Sequence, residues 1–182
     1  MNGEDLAMAH GFPDRAIVPG WYGMASVKWL SRVIVSEKSF AGYFQTLDYS
    51  IFERKNGVPT LIPLTENVVK AQIARPSFDE VVSKGKDYRV FGAAWAGKAC
   101  VNKVEFSSDG GVSWNTARLL GEPVRHAWRL WETTRKTPEQ AGLHKLMARA
   151  TDDRGWTQPP QRDLDLRTVM IHHVTPVEVC VE

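Results

Sequence analysis

A histidine, an arginine and a lysine lie close together near the start of the chain, among residues that bend the backbone. The stretch from His10 to Lys28 contains Arg15 as well as three glycines and two prolines. A planar guanidinium can grip a phosphate with two nitrogens, and a lysine adds a point charge. Backbone N–H groups next to glycine can satisfy the remaining acceptor oxygens. These residue types therefore predict a site for a phosphate-bearing or otherwise anionic ligand.

The same stretch is not expected to form a regular helix or a solvent-exposed linker. Proline removes a backbone donor and pushes the preceding residue towards an extended conformation. A linker would leave large side chains such as Trp21, Tyr22 and Trp29 in water. We therefore expect an irregular, buried wall segment whose cations face an anion.

The spacing of this stretch carries a family resemblance. His-Gly-Phe-Pro-x-Arg, followed by Pro-Gly-x-x-Gly-x-x-x-Val-Lys-Trp, resembles the end of the molybdopterin-binding domain of sulfite oxidase and its bacterial relatives. The resemblance implies that His10, Arg15, Ser26 and Lys28 contact the pterin cofactor or its phosphate, with Val27 contributing backbone. It thus implies a molybdenum–molybdopterin cofactor, for which this chain holds a partial site.

A simpler interpretation exists for each cation taken alone. Arg15 and Lys28 would be solvated surface residues and His10 an ordinary turn histidine, because charged side chains are mostly exposed. The combination of all three in one matching pattern favours the cofactor interpretation.

Composition limits the kind of protein. A length of 182 residues predicts one domain, or one domain with part of another, and allows a sizeable core. The formal net charge is only +2, which argues against a nucleic-acid binder that neutralises many phosphates. No apolar run has membrane-spanning length. We expect a soluble protein without nucleic-acid or membrane partners, and the sequence does not choose between periplasm and cytoplasm.

The two cysteines, Cys100 and Cys180, have no metal-ligand spacing and are expected to be free thiols in strands. In the family that the chain resembles, a cysteine upstream of the His-Gly-Phe-Pro motif ligates the molybdenum. Neither cysteine lies there, so we expect no metal ligand and no catalytic residue in this chain, and no oxidase activity from it alone. Residues 1–6 lack the basic and apolar regions of a signal peptide and resemble the interior of a longer family member.

From Val68 onward, short apolar stretches alternate with turn signals. Asp109-Gly-Gly111 marks a tight hairpin, because glycine accepts positive φ. Trp131 is expected on the opposite face of its strand from Leu130. Strands are predicted over Val68–Ile73, Asp87–Gly92, Val101–Phe106, Val112–Ala117, Ala127–Trp131, Leu143–Ala150 and Val174–Val181, where Val177, Val179 and Val181 share a face.

This pattern predicts a mainly β protein with an immunoglobulin-like antiparallel β-sandwich. A strip of an α+β molybdopterin-binding domain would precede the sandwich, over residues 1–38, and end in a strand around Val33 and Val35. Residues 39–67, rich in aromatic side chains, are expected to form a connector. The sandwich would occupy residues 68–182.

The sandwich region also resembles the dimerisation domain of sulfite oxidases. The matching sequences are Val104-Glu-Phe-Ser-Ser-Asp-Gly-Gly-Val-Ser-Trp114, Trp128-Arg-Leu-Trp131, Ala150-Thr-Asp-Asp153 and Gln158-Pro159. The resemblance implies a homodimer. It also places Arg167 where the family has an arginine that reaches an anionic substrate such as sulfite. Two alternatives remain open: Arg162 could be the functional cation, or Arg167 could pair with Asp163 or Asp165.

His172 and His173 are adjacent, so a strand would direct them to opposite faces, which is unsuited to chelating one metal. Two functional hypotheses follow. The chain could be the C-terminal portion of a sulfite oxidase-like molybdenum oxidoreductase, supplying homodimerisation and part of the pterin and oxyanion pocket. It could alternatively be a non-catalytic immunoglobulin-like association module. Whether the chain is an enzyme is left undecided by its sequence.

Overall fold

The chain divides into two compact units. The computed structural model describes residues 3–182. Of residues 1–6, which resemble the interior of a longer family member, the first two lie outside the described residues. Unit 1 comprises the described residues up to Asn67 together with Leu164–Ile171. Unit 2 comprises Val68–Asp163 and His172–Glu182.

Strands dominate unit 2, and all of the short helical segments among the described residues belong to unit 1. The helical segments are Met8–His10, Gly23–Ala25, Phe44–Asp48 and Leu164–Leu166. The strands of unit 1 are β1 (Ser50–Lys55) and β2 (Val58–Pro63). Those of unit 2 are β3 (Lys70–Arg75), β4 (Glu80–Val82), β5 (Asp87–Trp95), β6 (Val101–Ser107), β7 (Asn115–Thr116), β8 (Arg118–Leu119), β9 (Arg129–Lys136), β10 (Gly142–Asp152) and β11 (Val177–Val181).

Unit 2 is a β-sandwich built from two sheets. One sheet has the strand order β4-β11-β10-β6-β7 and the other β3-β5-β9-β8. Neighbouring strands are antiparallel except that β4 runs parallel to β11. The predicted mainly β fold with an immunoglobulin-like sandwich is confirmed.

Alternating side chains explain the core of the sandwich, since successive residues of a strand point to opposite faces. In β9, Trp131 is fully buried while Leu130 is 51% exposed, as the sequence predicts. In β11, Val179 and Val181 are buried. They join a core that also contains Val90, Val104, Phe106, Leu146 and Ala150.

A β-hairpin that the sequence reasoning missed forms part of unit 1. β1 and β2 pair from Ser50 opposite Pro63 to Lys55 opposite Val58. Asn56 and Gly57 connect them with φ values of 52° and 82°, as a tight two-residue hairpin turn requires. The Asn-Gly pair was the available sequence signal.

The strand expected around Val33 and Val35 is wrong. Neither residue belongs to a strand, and their exposed fractions are 76% and 97%. Alternation alone does not make a strand, because an isolated extended segment has no ladder to satisfy its backbone. The segment has no pairing partner among the residues that the structure describes.

Both cysteines of the chain lie in unit 2. Cys100 and Cys180 are both free and partly buried; Cys100 precedes β6 and Cys180 lies in β11. None of the helices formed by residues 3–182 is long and apolar enough to span a bilayer.

Candidate functional site

The backbone of unit 1 brings together two of the predicted cofactor contacts. Arg15 and Lys28 are partners in an isolated antiparallel bridge. On either side of it, the Ala16 N–H donates to the Val27 carbonyl (2.9 Å) and the Leu30 N–H to the Asp14 carbonyl (2.9 Å). We call His10, Arg15 and Lys28 the cation strip.

A glycine allows the first turn to close onto the Lys28 segment. Gly11 has a φ of +113°, and a Cβ added there would lie 3.1 Å from Cα and Cβ of Lys28. The Lys28 ammonium donates to the Ala9 carbonyl (2.8 Å), and the Trp29 indole N–H donates to the Met8 carbonyl (3.0 Å). These contacts hold the helical turn at whose end His10 lies.

Arg15 carries an unsatisfied donor. Its Nη1 donates to the His10 carbonyl over 3.5 Å, whereas its buried Nε has no hydrogen-bond partner among residues 3–182. A buried donor without an acceptor is costly, so it normally has one. An anionic oxygen at this point would satisfy Nε, and the strip therefore fits a phosphate-bearing cofactor.

Ser26 and Val27 contribute mainly through hydrogen bonds to the backbone. The Ser26 hydroxyl oxygen accepts the Val18 N–H at 3.2 Å, which leaves its own O–H able to donate. Val27 gives its carbonyl to Ala16, and its side chain is half-exposed. The structure places both beside Lys28 in the strip segment, and their cofactor role stays a prediction.

Arg167 lies in unit 1, next to the segment that leads into β1. Its φ is 54°, and its Nη1 donates to the carbonyls of Leu47 (2.5 Å) and Ser50 (3.0 Å). The fully buried Ser50 also accepts from Nη1 through its hydroxyl at 2.8 Å. Arg162, the alternative cation, belongs to unit 2.

Asp165 forms a two-pronged ion pair that sequence reasoning missed. Its carboxylate oxygens accept from Nε (2.6 Å) and Nη2 (2.9 Å) of Arg54. The hydrogen bonds from Arg54 lower the pKa of Asp165 below its usual value. No sequence signal could have revealed this pair, because its members lie 111 positions apart.

The histidine pair belongs to unit 2. Partial burial lowers the pKa of His172 and of His173, and the charge of Lys70 acts in the same direction on both. Both rings are therefore neutral at pH 7. His172 lines a cleft of about 340 Å³ that also contains Trp156. No group of three or more potential metal-ligating side chains occurs within the described part of the chain.

Comparison with known families places these features in context. Residues 1–44 match the oxidoreductase molybdopterin-binding domain, and residues 63–180 match the Mo-co oxidoreductase dimerisation domain. These two matches place the chain among the molybdenum-cofactor (Mo-co) oxidoreductases. Within that class, the chain belongs to the sulfite oxidase family, as the sequence motifs predicted.

Individual relatives give the extent of the similarity. Human mitochondrial sulfite oxidase is 37% identical over 171 residues, covering 87% of this chain and 31% of the relative. A barley nitrate reductase is 30% identical over 192 residues, and the match covers 93% of this chain and 21% of the reductase. The crystal structure of the sulfane dehydrogenase SoxCD from Paracoccus pantotrophus superimposes with a TM-score of 0.84 at 28% identity, over 97% of this chain and 46% of that one. The chain spans about a third of the length of its sulfite oxidase relatives.

Proposed function

We propose that this chain performs the part of a sulfite oxidase-like molybdenum oxidoreductase that its residues match. Unit 2 pairs two copies of the chain. The cation strip of unit 1 binds the phosphate end of the pterin, and Arg167 contributes to the pocket for the substrate oxyanion. The observation that carries the cofactor role is the buried Arg15 Nε, which lacks an acceptor among residues 3–182.

The molybdenum–molybdopterin cofactor supplies the redox chemistry when it is bound, and the protein supplies binding and charge. In this proposal Arg15 donates to a phosphate oxygen through Nε. Lys28 adds positive charge from the neighbouring chain segment, with its ammonium held 2.8 Å from the Ala9 carbonyl. His10 and the Ser26 hydroxyl supply further donors, and Val27 supplies backbone.

Arg167 is proposed to bind the oxyanion substrate, of which sulfite is the example given by the names of the relatives. Its Nη1 is fixed by oxygens of Leu47 and Ser50, which sets the plane of the guanidinium. A guanidinium with a fixed plane loses little side-chain entropy when it binds an oxyanion.

Phosphate binding tests the role of the strip. Inorganic phosphate is titrated into the ¹⁵N-labelled 182-residue chain at constant ionic strength, and the Arg15 Nε–H resonance is followed. The backbone amide resonances of Ala16 and Leu30, which lie beside the Arg15–Lys28 bridge, report affinity in the variants that lack Arg15. We expect this resonance to shift with phosphate, and Arg15→Gln to weaken binding by about fivefold or more, because a charge-assisted donor is lost. Arg32→Gln, which removes an exposed cation of the same unit, is the matched control. Equal effects of the two substitutions would reject the cofactor role.

These 182 residues alone are proposed not to oxidise sulfite. In the family that the motif resembles, the metal-ligating cysteine precedes the His-Gly-Phe-Pro motif, whereas both cysteines of these 182 residues follow it. Mass spectrometry of the purified chain should therefore detect no molybdenum, while sedimentation should give twice the chain mass of 20.5 kDa. Stoichiometric molybdenum would contradict this account.

The second candidate is a non-catalytic association module. It is favoured by the separate core of unit 2 and by the match of residues 63–180 to a dimerisation domain. If the chain is a dimer and its Arg15 Nε–H resonance does not shift when phosphate is added, this second candidate is favoured over the first.

A further inference from the structure

The turn that carries Arg167 is tied to β1 by charge. Arg54 in β1 grips both carboxylate oxygens of Asp165, with contacts of 2.6 and 2.9 Å. A guanidinium–carboxylate pair with two parallel hydrogen bonds is the strongest geometry for such a contact. The Asp165 side chain is only 26% exposed, and its pKa is lowered by Arg54, so it is ionised at neutral pH.

The guanidinium of Arg167 is oriented by residues at the start of β1. Its Nη1 meets two oxygens of Ser50 and the carbonyl of Leu47. The Ser50 hydroxyl in turn donates to the Leu47 carbonyl at 2.9 Å. Arg167 itself has a left-handed backbone conformation, with φ at 54°, which a non-glycine residue keeps only where its surroundings enforce it.

Asp165 creates a problem for anion binding. It lies two residues before Arg167 in the same turn, and an unneutralised carboxylate there would repel an incoming oxyanion and compete for the guanidinium. Because both carboxylate oxygens are engaged by Arg54, the charge of Asp165 is balanced locally.

We propose that Arg54 is a positioning residue for oxyanion binding: it holds and neutralises the Asp165 carboxylate so that the guanidinium of Arg167 stays directed at the anion. This inference rests on the proposed oxyanion role of Arg167. Arg54 touches neither substrate nor cofactor and acts through Asp165.

Removing Arg54 therefore has a consequence that a mere loss of stability does not have. In Arg54→Gln, the carboxylate of Asp165 is released next to Arg167, and oxyanion affinity should fall by about three- to tenfold, as expected for one uncompensated charge near the surface. In the double variant Arg54→Gln/Asp165→Asn both charges are gone, and affinity should return to within about twofold of the wild type. If Arg54 only anchored the turn, the double variant would be as weak as Arg54→Gln, because both lack the ion pair.

The experiment uses inorganic sulfate as a non-reacting tetrahedral oxyanion. It is titrated into the full 182-residue chain at constant ionic strength and followed by ¹H–¹⁵N NMR. The Arg167 side-chain N–H resonance, assigned with Arg167→Lys, reports contact with the anion. The backbone amide resonance of position 167 reports affinity in every variant, including Arg167→Lys. Arg89→Gln, which breaks a comparable ion pair with Glu132 in unit 2, controls for a general change in surface charge and should leave sulfate affinity unchanged. Thermal unfolding of every variant reports whether the fold is kept.

The outcomes separate the two levels of the proposal. Weak binding in Arg54→Gln with recovery in the double variant supports the positioning role. Sulfate binding that depends on Arg167 but is unchanged by Arg54→Gln, or is not recovered in the double variant, overturns the positioning role and leaves the role of Arg167 intact. Sulfate that does not perturb Arg167, or that binds Arg167→Lys equally well, overturns both.

Discussion

Replacing Gly92 with alanine should severely destabilise unit 2. Gly92 lies in β5, opposite Ile73 of β3 and Trp131 of β9. A Cβ at this position would lie 1.9 Å from the carbonyl oxygen of Gln72 and 2.8 Å from Cζ2 of Trp131. Real Cβ atoms essentially never approach other heavy atoms to less than 3.0 Å, so strands β3 and β5 would have to move apart by about 1 Å or more.

The loss of unfolding free energy has two sources, the weakened pairing of β3 with β5 and the displacement of Trp131. Separating the strands at Gly92 weakens about two ladder hydrogen bonds, each contributing about 1 kcal/mol. Moving Trp131, which is fully buried, forces a repacking of the core that costs about 1–3 kcal/mol. The expected loss is about 3–5 kcal/mol, a large share of a typical unfolding free energy. The melting temperature should fall by about 10–20 °C.

Urea denaturation followed by tryptophan fluorescence measures this loss. Ala93→Ser is the matched control, because Ala93 is the next residue of β5 and points to the opposite face; it should change stability by less than about 0.5 kcal/mol. A Gly92→Ala protein within about 1 kcal/mol of the wild type would refute the close packing described for β3, β5 and Trp131.

Two further predictions concern side chains of unit 2. The hydrogen bond from Tyr88, followed by that from the Ser77 N–H, lowers the pKa of Glu80 from 4.5 to about 2, so Glu80 stabilises the fold above about pH 4.5 and loses this contribution as the pH falls towards 2. Glu80→Gln should thus cost stability at pH 7 and cost nothing near pH 2 in paired denaturation curves; a cost independent of pH would contradict the assignment. Arg149→Ala removes a guanidinium that lies 4.2 Å from the Trp114 ring centroid and donates to the Glu105 carboxylate at 2.9 Å. Losing both contacts should lower the unfolding free energy by about 1–2 kcal/mol, whereas an unchanged melting temperature would show that neither contact is stabilising.

The sandwich could be predicted from sequence because its strands carry their own pattern. Val179 and Val181 alternate with Cys180, and Trp131 alternates with Leu130, so a period of two marks the buried face. β4 escaped prediction because three residues, Glu80–Val82, are too few to show a period. Its parallel pairing with β11 depends on a partner almost 100 positions away along the chain.

The candidate site was predictable only where local spacing determines it. The motif joins Arg15 to Lys28, and the structure pairs these two residues. The surroundings of Arg167 could not be predicted, because its guanidinium donates to the backbone carbonyls of Leu47 and Ser50. Every residue has such a carbonyl, so the sequence does not mark these two. Only the folded backbone decides which of them meet a given guanidinium.

The chain path through the two units has a consequence for how this protein can be made or cut. The chain leaves unit 2 after Asp163, contributes Leu164–Ile171 to unit 1, and returns at His172 to supply β11. A single cleavage after Asn67 would leave the larger piece holding Asp165 and Arg167 without their partners in the smaller one. During synthesis, the N-terminal unit must likewise wait for almost a hundred residues before its last segment emerges from the ribosome. Neither unit is a contiguous stretch of sequence, so exchanging either between relatives requires three junctions rather than one.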